Sequence, residues 1–102
     1  MKIKEITRYI EELAPLNYAE DFDNVGLLVG SYDSEVSGVL VTLDTLEETI
    51  DEAIAKKCNL IVSFHPIIFA GLKKLNGHSY VERVVLKAIK NDIAIYAIHT
   101  AL

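Results

Sequence analysis

Three side chains able to bind protons or divalent metals stand close to the ends of apolar runs: Asp44, His65 and His99. His65 interrupts the apolar residues 60–69 and precedes Pro66, which disfavours helix at His65 itself. A rigid, neutral imidazole at the end of a strand suits a metal ligand, because ligation gains from a fixed ring orientation. The alternative is a core histidine with satisfied hydrogen bonds. Asp44 taken alone is as typical of a helix cap or a turn as of a functional carboxylate.

The elements that would position these residues alternate regularly. Short runs rich in β-branched residues, at 39–43, 60–62 and 93–98, are separated by helical patterns at 46–57 and after Ser79. This β-α-β-α-β order predicts parallel strands joined by right-handed crossovers, with their carboxyl ends on one edge of the sheet. We therefore predict an α/β fold with three layers, in which a mostly parallel sheet carries helices on both faces. Ligands bind at that edge in such sheets, so the three side chains should converge there.

Local signals predict where the helices begin and end. Thr45 with Glu48, and Ser79 with Glu82, match the capping box, so one helix should begin directly after Asp44 and the other after Ser79. Asn91 is a plausible end for the second of these helices. An earlier amphipathic helix is predicted from apolar residues at helical spacing, ending before Pro15, and a first strand is predicted at residues 25–29. The apolar residues of that helix are Ile3, Ile6, Ile10 and Leu13.

Other polar clusters are less informative. The segment ahead of the first strand is typical of a solvated turn with local side-chain hydrogen bonds, and it lacks the glycine and distal glutamate of an EF-hand; it contains Glu20, Asp21, Asp23 and Asn24. Lys73 and Lys74 could steer an anionic substrate, although exposed loop lysines usually have no such role. Cys58 is interpreted as a core residue and His78 as a surface residue. No glycine-rich phosphate loop is present in the sequence.

Composition limits the class of protein. The 102 residues suit a single domain, and 51% hydrophobic with 25% charged residues is typical of a globular chain. With a formal charge of −5 and no basic cluster, nucleic acid is not an expected partner. The first residues lack a signal peptide's continuous apolar stretch, and no segment approaches the roughly 20 apolar residues that span a membrane. A single cysteine requires no oxidising compartment, so we expect a cytoplasmic location.

Three motifs in order resemble one known family. They are residues 19–27 (Ala-Glu-Asp-Phe-Asp-Asn-Val-Gly-Leu), 63–69 (Ser-Phe-His-Pro-Ile-Ile-Phe) and 94–102 (Ala-Ile-Tyr-Ala-Ile-His-Thr-Ala-Leu). They are similar to the amino-terminal signatures of the NIF-three-like dinuclear metal-centre proteins, named GTP cyclohydrolase I type 2 homologs. The resemblance covers nearly all of this chain and less than half of a family member. It implies a two-domain α/β protein, commonly a homohexamer, with two divalent metals (Zn, Fe or Mn) per subunit.

The resemblance assigns roles to individual residues. His65 matches the second histidine of the family's His-His-Pro motif and would be a metal ligand, whereas Phe64 stands where the first histidine is expected. His99 matches a residue that lines the site. Phe64, Asp44, Asp23 and Asn24 are further candidates for lining it. The family's remaining ligands, an Asp after His-Thr-x-Leu and a distant His-x-x-x-Glu, would lie beyond Leu102. The chain is therefore expected to be an amino-terminal fragment with an uncovered last strand, and to bind metal weakly or not at all.

Three functions compete at this point. The first is a metal-dependent hydrolase, in which paired ions activate a water against a nucleotide-like or other anionic substrate. The second is a noncatalytic module that binds metal or a partner protein, which the replacement at Phe64 favours. The third makes Asp44 a phospho-acceptor, but the acidic pair and the lysine that this role needs are not convincingly present. Self-association is expected from the resemblance.

Overall fold

The computed structural model describes residues 1–19, 24–68 and 71–99. The described residues form three helices and four strands: α1 (Ile3–Leu13), β1 (Gly26–Val29), β2 (Val39–Thr42), α2 (Glu47–Ala55), β3 (Leu60–Ser63), α3 (Tyr80–Lys90) and β4 (Ala94–Ala97), with a 3₁₀ turn at Leu16–Tyr18. The predicted order of elements is confirmed. Among these residues no helix is long and apolar enough to cross a membrane.

The strands form one sheet in the order β1-β4-β3-β2. As predicted, β2, β3 and β4 are parallel, with Thr42 opposite Ser63 and Ser63 opposite Ala97. The first strand, β1, is antiparallel to β4, so the sheet is mixed. The expectation that the last strand lies uncovered is wrong, because β4 is hydrogen-bonded to β1 on one side and to β3 on the other. Strand β2 forms the edge opposite β1.

Helices cover both faces of the sheet, which confirms the three-layer prediction. On one face α2 and α3 pack against alternate strand residues, burying Ile61 and Ile95 completely. On the other face α1 contributes Ile3 to a smaller cluster that includes Leu60 and Tyr96. Because β3 and β4 are covered on both faces, all their residues are buried, which explains their continuous apolar sequences.

The two predicted capping boxes differ in outcome. Helix α2 begins at Glu47 and not directly after Asp44, so the prediction for Thr45 is wrong. Thr49 takes the capping role: its Oγ1 accepts a hydrogen bond from the Leu46 backbone N–H at 3.0 Å. The Thr45 side chain is buried, and its hydroxyl has no hydrogen-bond partner among the described residues.

The cap of α3 is confirmed. The Ser79 hydroxyl accepts from the Glu82 backbone N–H at 3.3 Å. The Glu82 carboxylate in turn accepts from the backbone N–H groups of Asn76 (3.1 Å) and His78 (3.3 Å). These bonds, that from Asn76 above all, lower the pKa of Glu82. Helix α3 ends at Lys90 with Asn91 as its C-cap, as predicted. At the other end, the hydrogen bonds to Glu82 attach the preceding loop to the first turn of the helix.

Candidate functional site

Sheet register brings the three candidate residues to one edge. Asp44, His65 and His99 each lie two residues beyond three aligned positions, Thr42, Ser63 and Ala97. Backbone hydrogen bonds continue past the strands: the His65 N–H donates to the Leu43 carbonyl at 3.0 Å, and the His99 N–H donates to the Phe64 carbonyl at 2.8 Å. The backbone at this edge is therefore fixed, and the predicted convergence of the three residues has a structural cause.

Asp44 and His65 form a direct hydrogen bond. The Asp44 Oδ1 and the His65 Nδ1 are 2.5 Å apart, with the side chains 51% and 45% exposed. Side-chain hydroxyls hold both backbones: Thr42 and Thr49 donate to the Asp44 carbonyl at 2.9 and 3.2 Å, and Ser63 donates to the His65 carbonyl at 2.8 Å. Asp44 is therefore more than a turn residue, and its carboxylate is directed at the imidazole.

Three rings pack together beside this bond. The Phe64 ring meets the rings of His65 and His99 edge-on, with both centroid distances 5.1 Å. The two imidazole centroids are 5.5 Å apart, with the ring planes tilted by 55°. The three centroids thus form a nearly equilateral triangle, in which Phe64 contacts both histidines and supplies no lone pair. The partly buried His99 has a positive φ of 23°, which places this residue in an uncommon backbone conformation.

The loop before β1 reaches the same region. The Asn24 side-chain amide donates to the backbone carbonyl of Ile68, three residues beyond His65. This contact links the predicted polar segment to the segment after β3. Asp23, the other site-lining candidate from that segment, lies outside the described residues.

A small cleft adjoins the Asp44–His65 pair. It has a volume of about 90 Å³, and its lining includes Asp44, His65, Pro66, Ile67 and Tyr80. Small-molecule sites typically measure roughly 300–1,000 Å³. The cleft formed by the described residues can therefore hold an ion or a few water molecules, but it cannot enclose a nucleotide. Two larger grooves, of about 210 Å³ each, lie elsewhere and contain neither residue of this pair.

The described residues fit only part of a metal site. Nowhere in residues 1–19, 24–68 and 71–99 do three His, Cys, Asp or Glu side chains come together as a set of ligands. His65 can offer Nε2 to one ion, since its Nδ1 is bonded to Asp44. A pair of ions would need donors from outside the described residues. The hydrogen bond to Asp44 also gives no support to a phospho-acceptor role for that carboxylate.

Four other residues were considered in the sequence. Lys73 and Lys74 are exposed, and so is His78, as the surface interpretation of that histidine expected. Cys58 is partly buried and packs against the core cluster under α2 and α3, close to the predicted core position. Sequence reasoning missed the part played by Thr49, although a threonine in the first turn of a helix is a recognisable signal.

The sequence matches the Duf34/NIF3 (NGG1p interacting factor 3) family over residues 1–102. The GTP cyclohydrolase 1 type 2 homolog of Clostridium acetobutylicum is 40% identical over 102 residues, which cover 100% of this chain and 38% of that protein. The protein of the same name from Bacillus subtilis is 41% identical over 99 residues, covering 97% of this chain and 26% of that protein. The chain thus spans between 26% and 38% of the length of these curated relatives.

Solved structures with similar sequences have the same fold. Staphylococcus aureus hypothetical protein SA1388 superposes with a TM-score of 0.96 at 43% identity, over 100% of this chain and 29% of that chain. A Bacillus cereus protein related to NIF3 gives 0.93 at 40% identity, over 99% and 28%. Reduced HcgD from Methanocaldococcus jannaschii gives 0.90 at 31% identity, over 100% and 41%.

Proposed function

The chain belongs to the Duf34/NIF3 family, and on that premise we propose that it forms part of a divalent-metal site in a metal-dependent hydrolase, with His65 as a ligand. The observation that carries this proposal is the Asp44–His65 hydrogen bond at the carboxyl edge of the parallel strands. Metal-binding histidines usually donate their other ring N–H to a carboxylate, which orients the ring and makes it a better ligand.

The chemistry proposed for the intact protein is hydrolysis of a nucleotide-like or other anionic substrate. Divalent ions (Zn, Fe or Mn, two in the complete site) would supply a reactive water at neutral pH and polarise a substrate oxygen. The described residues contribute the anchored imidazole and hold its backbone. The cytoplasm is the proposed setting, and self-association into a homohexamer is the proposed assembly, which sedimentation of the purified chain tests directly.

Calorimetry with Zn²⁺, Mn²⁺ and Fe²⁺ tests metal binding by this chain. Zinc sites in proteins use three or four protein ligands, so one anchored imidazole should bind with a dissociation constant above about 1 µM. His65→Ala should abolish this binding, and His78→Ala, which removes an exposed histidine elsewhere, should leave it unchanged. The metal proposal fails if none of the three ions binds to the intact protein in a manner that depends on His65. Submicromolar binding that depends on His65 would instead contradict the partial donor set.

A second candidate function is a noncatalytic module that binds metal or a partner protein. Phe64 favours it, because the phenyl ring that packs against the two imidazoles cannot ligate a metal. Turnover of a nucleotide panel by the intact protein separates the two candidates. If the protein is a hydrolase, His65→Ala should lose turnover. Bound metal without turnover that depends on His65 would contradict the hydrolase and leave the noncatalytic module.

A further inference from the structure

The Asp44–His65 bond specifies which nitrogen of the imidazole is available. An ionised carboxylate only accepts hydrogen bonds, so the ring must place its proton on Nδ1, which lies 2.5 Å from the Asp44 oxygen. A neutral imidazole carries one ring proton, so the lone pair is then on Nε2. We propose that Asp44 is a positioning residue that fixes His65 as the Nδ1–H tautomer and presents Nε2 as the electron-pair donor of the site.

The surroundings of both residues support a fixed arrangement. The hydroxyls of Thr42 and Thr49 donate to the Asp44 carbonyl, and the Ser63 hydroxyl donates to the His65 carbonyl. These hydrogen bonds fix the backbone of both residues. The final torsion of a histidine side chain has two broad minima about 180° apart, which exchange the position of Nδ1 with a ring carbon. The hydrogen bond to Asp44 is satisfied in only one of these two orientations.

A surface ion pair is the competing explanation. Both side chains are about half exposed, and exposed pairs contribute little to stability. An ion pair needs the imidazolium, which carries a proton on both ring nitrogens and therefore fixes no tautomer. Stability measurements cannot distinguish this pair from a neutral, hydrogen-bonded ring. The position of the ring proton separates them.

Nitrogen NMR measures that position in the metal-free protein. With ¹⁵N-labelled chain at roughly pH 8, where imidazoles are normally neutral, long-range ¹H–¹⁵N correlations identify the protonated nitrogen of each ring. Wild-type His65 should carry its proton on Nδ1, and Asp44→Ala should shift the proton towards Nε2. Asp33→Ala, which removes a carboxylate paired with Lys4 elsewhere, should leave the His65 signals unchanged. His78→Gln assigns one of the other ring systems.

Two outcomes overturn the inference: a proton on Nε2 in the wild type, or an unchanged tautomer in folded Asp44→Ala. The wild-type measurement alone decides the first outcome, so the test stands even if the variant does not fold. The role of Nε2 towards metal rests on the proposed function and has its own measurement. Addition of Zn²⁺ should move the Nε2 resonance, and Asp44→Ala should weaken the affinity by roughly 10- to 100-fold. An Nδ1–H tautomer without a response to Zn²⁺ would remove the metal function and leave the positioning role intact.

Discussion

Replacing Gly30 with alanine tests the contact that places β1 beside β4. Gly30 follows β1 and has a φ of +110°, a backbone conformation that side chains rarely adopt. A Cβ at this position would lie 2.6 Å from the Ala94 Cβ and 3.0 Å from the Ala94 Cα. The second of these atoms is backbone, so relief requires movement of β4 itself. The register of β1 shifts between Leu27 and Val29, just before this close approach.

The expected loss of stability follows from these two effects. A strained φ costs about 1–3 kcal/mol, and forcing an extra methyl group into a packed contact costs about 1–3 kcal/mol. Alanine also restricts the unfolded chain, which returns about 0.4–1 kcal/mol. Gly30→Ala should therefore lower the free energy of unfolding by about 1–5.5 kcal/mol. Gly71→Ala is the control, because no heavy atom of the described residues lies within 4 Å of its Cβ position.

Urea unfolding followed by circular dichroism measures both variants. Gly71→Ala should be neutral or stabilised by up to about 1 kcal/mol, whereas Gly30→Ala should show a lower midpoint with an unchanged slope. If the two variants differ by less than about 1 kcal/mol at equal slopes, the close approach of β1 to Ala94 is wrong. A changed slope would mean that the substitution altered the compactness of the folded or unfolded state, which local strain at Gly30 does not predict.

Two further predictions concern titrating side chains. The buried Tyr96 hydroxyl has no hydrogen-bond partner among the described residues, and burial, with a smaller effect from Glu11, raises its pKa. Tyr96→Phe should thus be neutral or stabilising by up to about 1–3 kcal/mol. Because the folded pKa is raised, the fold favours the neutral phenol, and stability falls as pH rises above the unfolded pKa of about 10. The variant should therefore flatten the alkaline fall in urea midpoints; an equally steep fall would contradict this burial effect. The pKa of Glu82 is lowered from 4.5, so its contribution is present above that value and is lost as pH falls through the folded pKa. The urea midpoint of the wild type should exceed that of Glu82→Gln at pH 7, and this difference should disappear in acid. Glu12→Gln is the control. A difference that stays constant from pH 7 to 3, or that Glu12→Gln reproduces, would contradict the stabilising role of Glu82.

Much of the fold could be predicted because its signals are local. The helix from Ile3 and the parallel strands 2 to 4 follow from apolar spacing, and the cap at Ser79 follows from a short motif. The start of α2 was mispredicted because the Thr45 side chain is buried, which leaves Thr49 to cap the helix. The position of β1 between solvent and β4 has no local signal, since a run of four residues does not encode which strand it pairs with.

The candidate site was predictable where it depends on the positions of the strand ends. The ends of parallel strands predicted that Asp44, His65 and His99 would meet, and register explains the result. The hydrogen bond between Asp44 and His65 depends on side-chain torsions and on hydroxyls from two neighbouring elements, so spacing along the chain could not reveal it. The packing of Phe64 against both histidines also emerges only in three dimensions.

Phe64 bears directly on the choice between a hydrolase and a noncatalytic module. Its ring packs edge-on against both imidazoles, while the side chains of Asp44 and His65 stay about half exposed. Because Phe64 supplies no ligand, the cluster offers His65 as one anchored donor, whereas tight zinc sites use three or four protein ligands. Firm binding therefore requires donors from outside the described residues, whichever function the site serves. Metal affinity measured on this chain alone tests the anchor, and turnover that depends on His65 in the intact protein is the measurement that distinguishes catalysis from binding.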